Sequence, residues 1–225
     1  MRATVLAGGF VMIACVVVLA HDKGTTPITW NREISRLVYE RCASCHRPGG
    51  TAFSMMMYSD VQPRAVAIRD AVLSRRMPPW GAVKGFGNFR NDQALTQEQI
   101  ELVNSWIAGD LPRGNNRRAL PKEPTFTDPP SIAVPANAIR ISGTTTLDRP
   151  LALDGLLPEH VTPDQSFRVV AVLPDGRTQP LVWLHGYDQR APHVFLLRDT
   201  LRLPAKTVIQ GVPSGVVLTL IPVTK

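Results

Sequence analysis

The sequence is poor in thiols. Of its three cysteines, only Cys42 and Cys45 lie beyond an apolar N-terminal stretch. Such a chain has no disulfide framework, and without a second cysteine pair it has no four-cysteine zinc site. It also lacks any run of basic residues. The formal charge is +7, but the arginines are scattered singly or in pairs, which argues against a nucleic-acid footprint. No internal repeat and no low-complexity tract is present, so repeat architectures are set aside.

What is present is concentrated in one pentapeptide. Cys42-Ala43-Ser44-Cys45-His46 has the C-x-x-C-H spacing of a c-type haem attachment site. Two thiols add across the two vinyl groups of one porphyrin, and the adjacent imidazole becomes the proximal iron ligand. On a helix, positions three and four apart share a face, so the spacing predicts that Cys42, Cys45 and His46 meet one flat ring. A thioredoxin-like dithiol would sit in a βαβ context, and none is visible. The implied cofactor is one covalent haem c.

The N-terminus reads as an export signal over residues 1–20. Arg2 supplies the positive end, Val5 to Ala20 are apolar or small, and Val18-Leu19-Ala20 fits a cleavage site. The stretch is long for a signal core, so a retained anchor is the second reading, and membrane association is expected only in that case. Cys15 reads as one more apolar residue of this segment. Export fits covalent haem and implies a periplasmic or extracytoplasmic location.

The pattern predicts an α+β chain of two domains: an all-α N-terminal domain over 25–114, a proline-rich linker over 115–130, and a small antiparallel β-sandwich over 131–225. Ile34, Leu37 and Val38 mark a first helix running into Cys42 and Cys45, ended by Arg47-Pro48-Gly49-Gly50. A second helix is expected from near Asp60 to Arg75, with Pro63 in its first turn and Ala65, Ile68, Val72 and Leu73 inward. A third starts at the capping box Thr96-Gln97-Glu98-Gln99. It buries Ile100, Val103 and Ile107 beside Trp106 and closes at Gly109. Beyond Pro130 the pattern shifts to strands near 138–141, 167–173, 181–184, 194–197, 207–211 and 215–223, with Asp175-Gly176 as a hairpin turn.

The sixth iron position separates electron transfer from catalysis. A methionine thioether closes it and favours ferrous iron. The candidates are Met77, in Arg75-Arg76-Met77-Pro78-Pro79-Trp80, and the run Met55-Met56-Met57. Two prolines restrict the backbone behind Met77. The methionine run also suits packing against core, and Trp80 suits either a porphyrin edge or a core.

Residues 30–114 resemble a mono-haem cytochrome c domain, of a bacterial subgroup with C-x-x-C-H-x-P-G, R-x-M-P-P-W, N-D-x-x-L-T-x-x-Q-I and W-I-x-G segments. These match Cys42 to Gly49, Arg75 to Trp80, Asn91 to Ile100 and Trp106 to Gly109. The resemblance implies His46 and Met77 as axial ligands. More faintly, Leu157 to Val161, Ser166 to Arg168 and Leu173 to Gly176 resemble the C-terminal β-sandwich of ascorbate-dependent copper type II monooxygenases. That family places copper on a His-x-His pair where this chain reads Glu159-His160-Val161, so copper hydroxylation is expected to be lost. His160, His185 and His193 are the histidines of this half.

The leading expectation is an exported single-electron carrier, alone or as the haem subunit of a larger redox assembly, and not an enzyme. A peroxidase-like or copper-dependent oxidoreductase is the alternative. A docking role for the β-domain is compatible with the first. Residues 25–118 hold 13 Lys+Arg against 8 Asp+Glu, whereas 121–225 hold 10 against 9. This excess suits either an acidic redox partner protein or an ordinary solvated surface.

Overall fold

The computed structural model of the protein describes residues 27–126 and 134–223. The expected export signal and the end of the proline-rich stretch lie outside them. The described chain is mixed α+β, with short helices followed by two antiparallel sheets.

A π-helical turn, Trp30–Ile34, leads into α1 (Ser35–Arg41). A short α2 (Tyr58–Val61) passes through a 3-10 turn at Gln62–Arg64 into α3 (Ala65–Leu73). Pro63 explains the break, since its ring fixes φ and removes a donor. α4 (Gln97–Ala108) starts as its sequence predicts. The Gln99 amide donates to Thr96 Oγ1 at 3.2 Å and the Thr96 amide to Gln99 Oε1 at 2.9 Å, a reciprocal cap worth about 1 kcal/mol. Trp30, Ile34, Val38, Met55, Val61 and Trp106 form one apolar cluster of this half. Leu37, Val72, Leu95, Ile100 and Val103 form a second.

The proline-rich stretch does not swing free over its described part. Trp30 and Asn31 donate backbone bonds to the carbonyls of Pro112 and Arg113. The Asn31 amide, 2% exposed, donates to Gly114 O at 2.9 Å and Asn116 O at 3.3 Å. These bonds satisfy a buried amide and lay the chain back along the first helix.

One sheet has the order β1-β8-β3-β6 and the other β2-β7-β4-β5, all antiparallel. The strands are β1 (Ile139–Ile141), β2 (Thr145–Thr146), β3 (Leu151–Glu159), β4 (Ser166–Val172), β5 (Thr178–His185), β6 (Phe195–Leu203), β7 (Val208–Gln210) and β8 (Val217–Pro222). Leu153, Leu156 and Leu218 from the first sheet share one core with Val169, Leu181 and Leu184 from the second. β3 is an internal strand that the pattern did not predict, because Asp154, Gly155 and Pro158 interrupt it. The register shifts between Leu153 and Gly155. Pro158 faces only β8, since β6 pairs no further than Leu156, so its missing N–H is tolerated.

Residues 80–91 join the sheet pair rather than the helices. Trp80, Ala82 and Phe89 are buried in the sheet core. Ala82 bridges Leu184 of β5 and Phe89 bridges Leu197 of β6. The Val83 amide donates to Trp183 O at 2.8 Å, the His185 amide to Gly81 O at 2.9 Å and the Arg90 amide to Leu196 O at 2.9 Å. Arg90 also pairs with Asp154 through two nitrogens, at 3.0 and 2.8 Å. Trp80 thus belongs to the β core.

Gly81 sits at φ +68, and a Cβ there would lie 2.7 Å from Tyr187 Cα. Gly81→Ala meets backbone, not a side chain that can swing away. It should cost about 2–4 kcal/mol, read as a lower urea midpoint. A midpoint equal to the parent's would mean that residue 81 is not seated on Tyr187.

His193 ties this segment down. Its ring stacks on Trp80, with centroids 4.9 Å apart and planes at 17°. Nε2 lies 3.0 Å from Trp80 O and Nδ1 3.0 Å from Ala191 O. Burial pulls the imidazole below its ordinary range, and the two carbonyls pull it partly back. The unfolded chain therefore binds the proton more readily than the folded one. Stability is full above the unfolded histidine value of about 6.5 and is lost as pH falls below it toward the folded value. His193→Phe, which removes the titrating group, should flatten this dependence between about pH 7 and 5 in urea unfolding. An unchanged slope would assign it to other groups.

Candidate functional site

α1 ends at Arg41, so the pentapeptide is not inside the helix as its spacing suggests. Cys42 caps α1 at φ −115, ψ −39, with its amide bonded to Val38 O. The next residues form a separate hydrogen-bonded turn: the amides of Cys45 and His46 donate to Cys42 O at 3.2 and 2.9 Å. The four-residue spacing of that second bond is helical, so one turn keeps both thiols and the imidazole on one local scaffold. Ala43 is fully buried, and its amide donates to Val38 O at 2.9 Å, which ties the turn back to α1.

His46 is held from behind. Its Nδ1 lies 2.9 Å from Phe53 O, and its ring meets the Phe53 ring edge at a centroid distance of 4.6 Å. A neutral imidazole that donates Nδ1–H to a carbonyl presents Nε2 as its free lone pair, which is how metal-ligating histidines are oriented. The supporting loop is itself pinned, since the Met55 amide donates to His46 O at 3.0 Å and the Ala52 amide to Cys45 O at 3.2 Å.

Both cysteines are free thiols, Cys42 half-buried and Cys45 exposed. Burial pushes the Cys42 thiol up to about 12, and the proximity of Cys45 adds to the effect. A redox dithiol needs the opposite, a thiol lowered toward neutrality.

The methionines divide by burial. Met55 and Met56 are 4% and 6% exposed, and Met55 packs with Trp30, Val38 and Trp106. They are core residues. Met57 and Met77 are exposed, at 60% and 41%. Met77 follows α3, where its amide donates to Ala71 O at 3.1 Å. Among the described residues no hydrogen bond or ring contact joins Met77 to Cys42, Cys45 or His46.

Exposed apolar side chains gather in this stretch. Phe53, Met57, Val66, Leu73 and Met77 are each 41% exposed or more. Leu73, expected inward, is among them. Two surface cavities, of about 660 and 420 Å³, lie between α3 and the end of α4, where Val66 is part of the lining, and beneath the Lys84–Asp92 loop. Neither is lined by the cysteines, His46 or Met77.

The donor set suits haem: two thiols and an oriented imidazole on one turn, two exposed methionines, and apolar surface between them in the chain. Among the described residues no three His, Cys, Asp or Glu side chains converge. In the β half, His160 and His185 are exposed and His193 is engaged with Trp80 and Ala191. Glu159 is occupied by Arg140 at 2.6 Å and Thr219 at 3.0 Å.

No protein-family model, no curated protein and no solved structure matches this chain. Among the described residues, no helix is long and apolar enough to cross a membrane.

Proposed function

We propose that this protein is an exported mono-haem c-type cytochrome that carries single electrons, alone or as the haem subunit of a larger redox assembly. The observation that carries the reading is His46. Its Nδ1 is engaged by the Phe53 carbonyl 2.9 Å away, which leaves Nε2 free beside two thiols on the same turn. Cys42 and Cys45 are the attachment residues, His46 the proximal ligand and Met77 the distal ligand. When bound, haem supplies a reversible one-electron couple.

The protein's own residues set the conditions for that couple. Phe53 O fixes the imidazole's tautomer and raises its basicity. The thioether of Met77 favours the ferrous state. Phe53, edge-on against the His46 ring, would shield that side of a bound haem from water, which disfavours the extra charge of the ferric state. A haem held by both His46 and Met77 would leave no position open to peroxide, which favours electron transfer over catalysis. The positive balance of residues 25–118 suits an acidic redox partner protein.

Expression of the whole gene in a host that matures c-type cytochromes tests this. The reading expects a secreted red protein whose visible spectrum changes reversibly on one-electron reduction, with no carbon monoxide adduct at neutral pH. A colourless protein, or one whose reduced form binds carbon monoxide at once, contradicts it.

A further inference from the structure

The loop that carries Met77 has two attachments of different kinds. On its N-terminal side it hangs from α3, through the Met77 amide on Ala71 O at 3.1 Å. On its C-terminal side, three residues on, Trp80 is buried at 4% exposure in the core of the sheet pair. There its ring lies against His193 at 4.9 Å, Phe195 at 4.7 Å and Phe89 at 5.9 Å. His193 holds the residue at two points, stacking on the indole and reaching the backbone carbonyl with Nε2. Tyr187, wholly buried, accepts the His193 amide on its hydroxyl at 3.2 Å and supports Gly81 from below.

A thioether is a weak, neutral ligand, so its bond to a metal depends on how little freedom the ligand loses on binding. Pro78 and Pro79 transmit the anchorage, because their fixed φ angles leave few soft torsions between Trp80 and Met77. We infer that the sheet pair serves as the seat of the distal-ligand loop, and that His193 is a positioning residue for Met77, acting through Trp80. This rests on the reading of Met77 as distal ligand given above. It gives the β half a role within the redox centre without any cofactor of its own. Releasing Trp80 frees the loop at one end while leaving the Met77 side chain chemically intact.

The test uses the full-length holoprotein and reads ligation directly. The probes are the thioether-to-iron charge-transfer band of the ferric protein and the rate at which the ferrous protein takes up carbon monoxide. His193→Ala should weaken the band and raise the carbon monoxide rate about tenfold, the scale of one lost buried hydrogen bond. His193→Phe keeps a ring against Trp80 but loses the bond to its carbonyl. It should give a smaller change, and it serves if the alanine variant does not fold. Leu218→Ala is the control. It removes buried volume from the same core but on β8, a strand that makes none of the bonds to residues 80–91, and should change band and rate far less than His193→Ala despite lost stability. A parent band that vanishes in Met77→Ala but persists, with the parental rate, in both His193 variants overturns the positioning role alone. Equal loss in Leu218→Ala also overturns it, as general destabilisation. A parent with no such band overturns the Met77 assignment itself.

Discussion

Met77→Ala is expected to lower the reduction potential and let the reduced protein bind carbon monoxide while leaving the fold intact. The side chain is 41% exposed and belongs to none of the apolar clusters, so its truncation should cost well under about 1 kcal/mol of stability. The chemical effect is much larger. A thioether stabilises ferrous iron, and axial ligands span about 0.8 V of potential across haem proteins, so a drop on the order of 0.1–0.2 V is expected. Met57→Ala is the matched comparison, because Met57 is the other exposed methionine of this half, at 60%. It should leave potential and ligand binding alone. A reversed pattern would move the distal ligand to Met57, which heads α2, close in the chain to the loop that supports His46.

The second large effect concerns attachment. Cys42→Ala combined with Cys45→Ala should yield secreted chain that retains no colour through acid and acetone. Each single variant should keep one thioether link and a reduced yield of coloured protein. The sheet pair should survive these changes, because neither cysteine contributes to its core. Far-ultraviolet circular dichroism of the double variant should therefore keep its β signal while the helical signal falls. His46→Ala should behave differently, keeping haem on the thiols while losing the proximal bond and with it the normal potential. Retention of tightly bound colour by the double cysteine variant would refute the attachment.

Local signals in the sequence carried over well where the structure is local. The Thr96 capping box, the Gly109 stop, the Asp175-Gly176 hairpin and the β8 run all occupy their expected places. The helix through the pentapeptide did not extend as expected. Spacing alone does not distinguish a continuing helix from a separate turn with the same four-residue bond. Leu73 follows the apolar period of α3 yet stays in water. Period reports which face is apolar, not whether protein or a cofactor covers it. β3 was hidden because Asp154, Gly155 and Pro158 are poor strand formers. Each is tolerated for a tertiary reason: a register shift, close passage against Val194, and a side with no partner strand.

Least legible was the course of residues 80–91. The segment follows the Met77 motif without a break in composition, so it read as part of the helical half. Its bonds go instead to β5 and β6, a hundred residues away in sequence. Backbone pairing at that separation leaves no local trace. Trp80, weighed between porphyrin edge and core, is core, but of the other half. The His46–Phe53 bond was equally hidden, because a carbonyl acceptor has no residue signature.

The most direct test of the central claim is the mass of the protein secreted by a host that matures c-type cytochromes. After acid–acetone extraction and proteolysis, the peptide spanning Cys42 to His46 should carry one haem, its mass raised by one porphyrin iron complex, with both thiols blocked to alkylation. A peptide of unmodified mass with two thiols open to alkylation, and all colour in the acetone, would contradict the account.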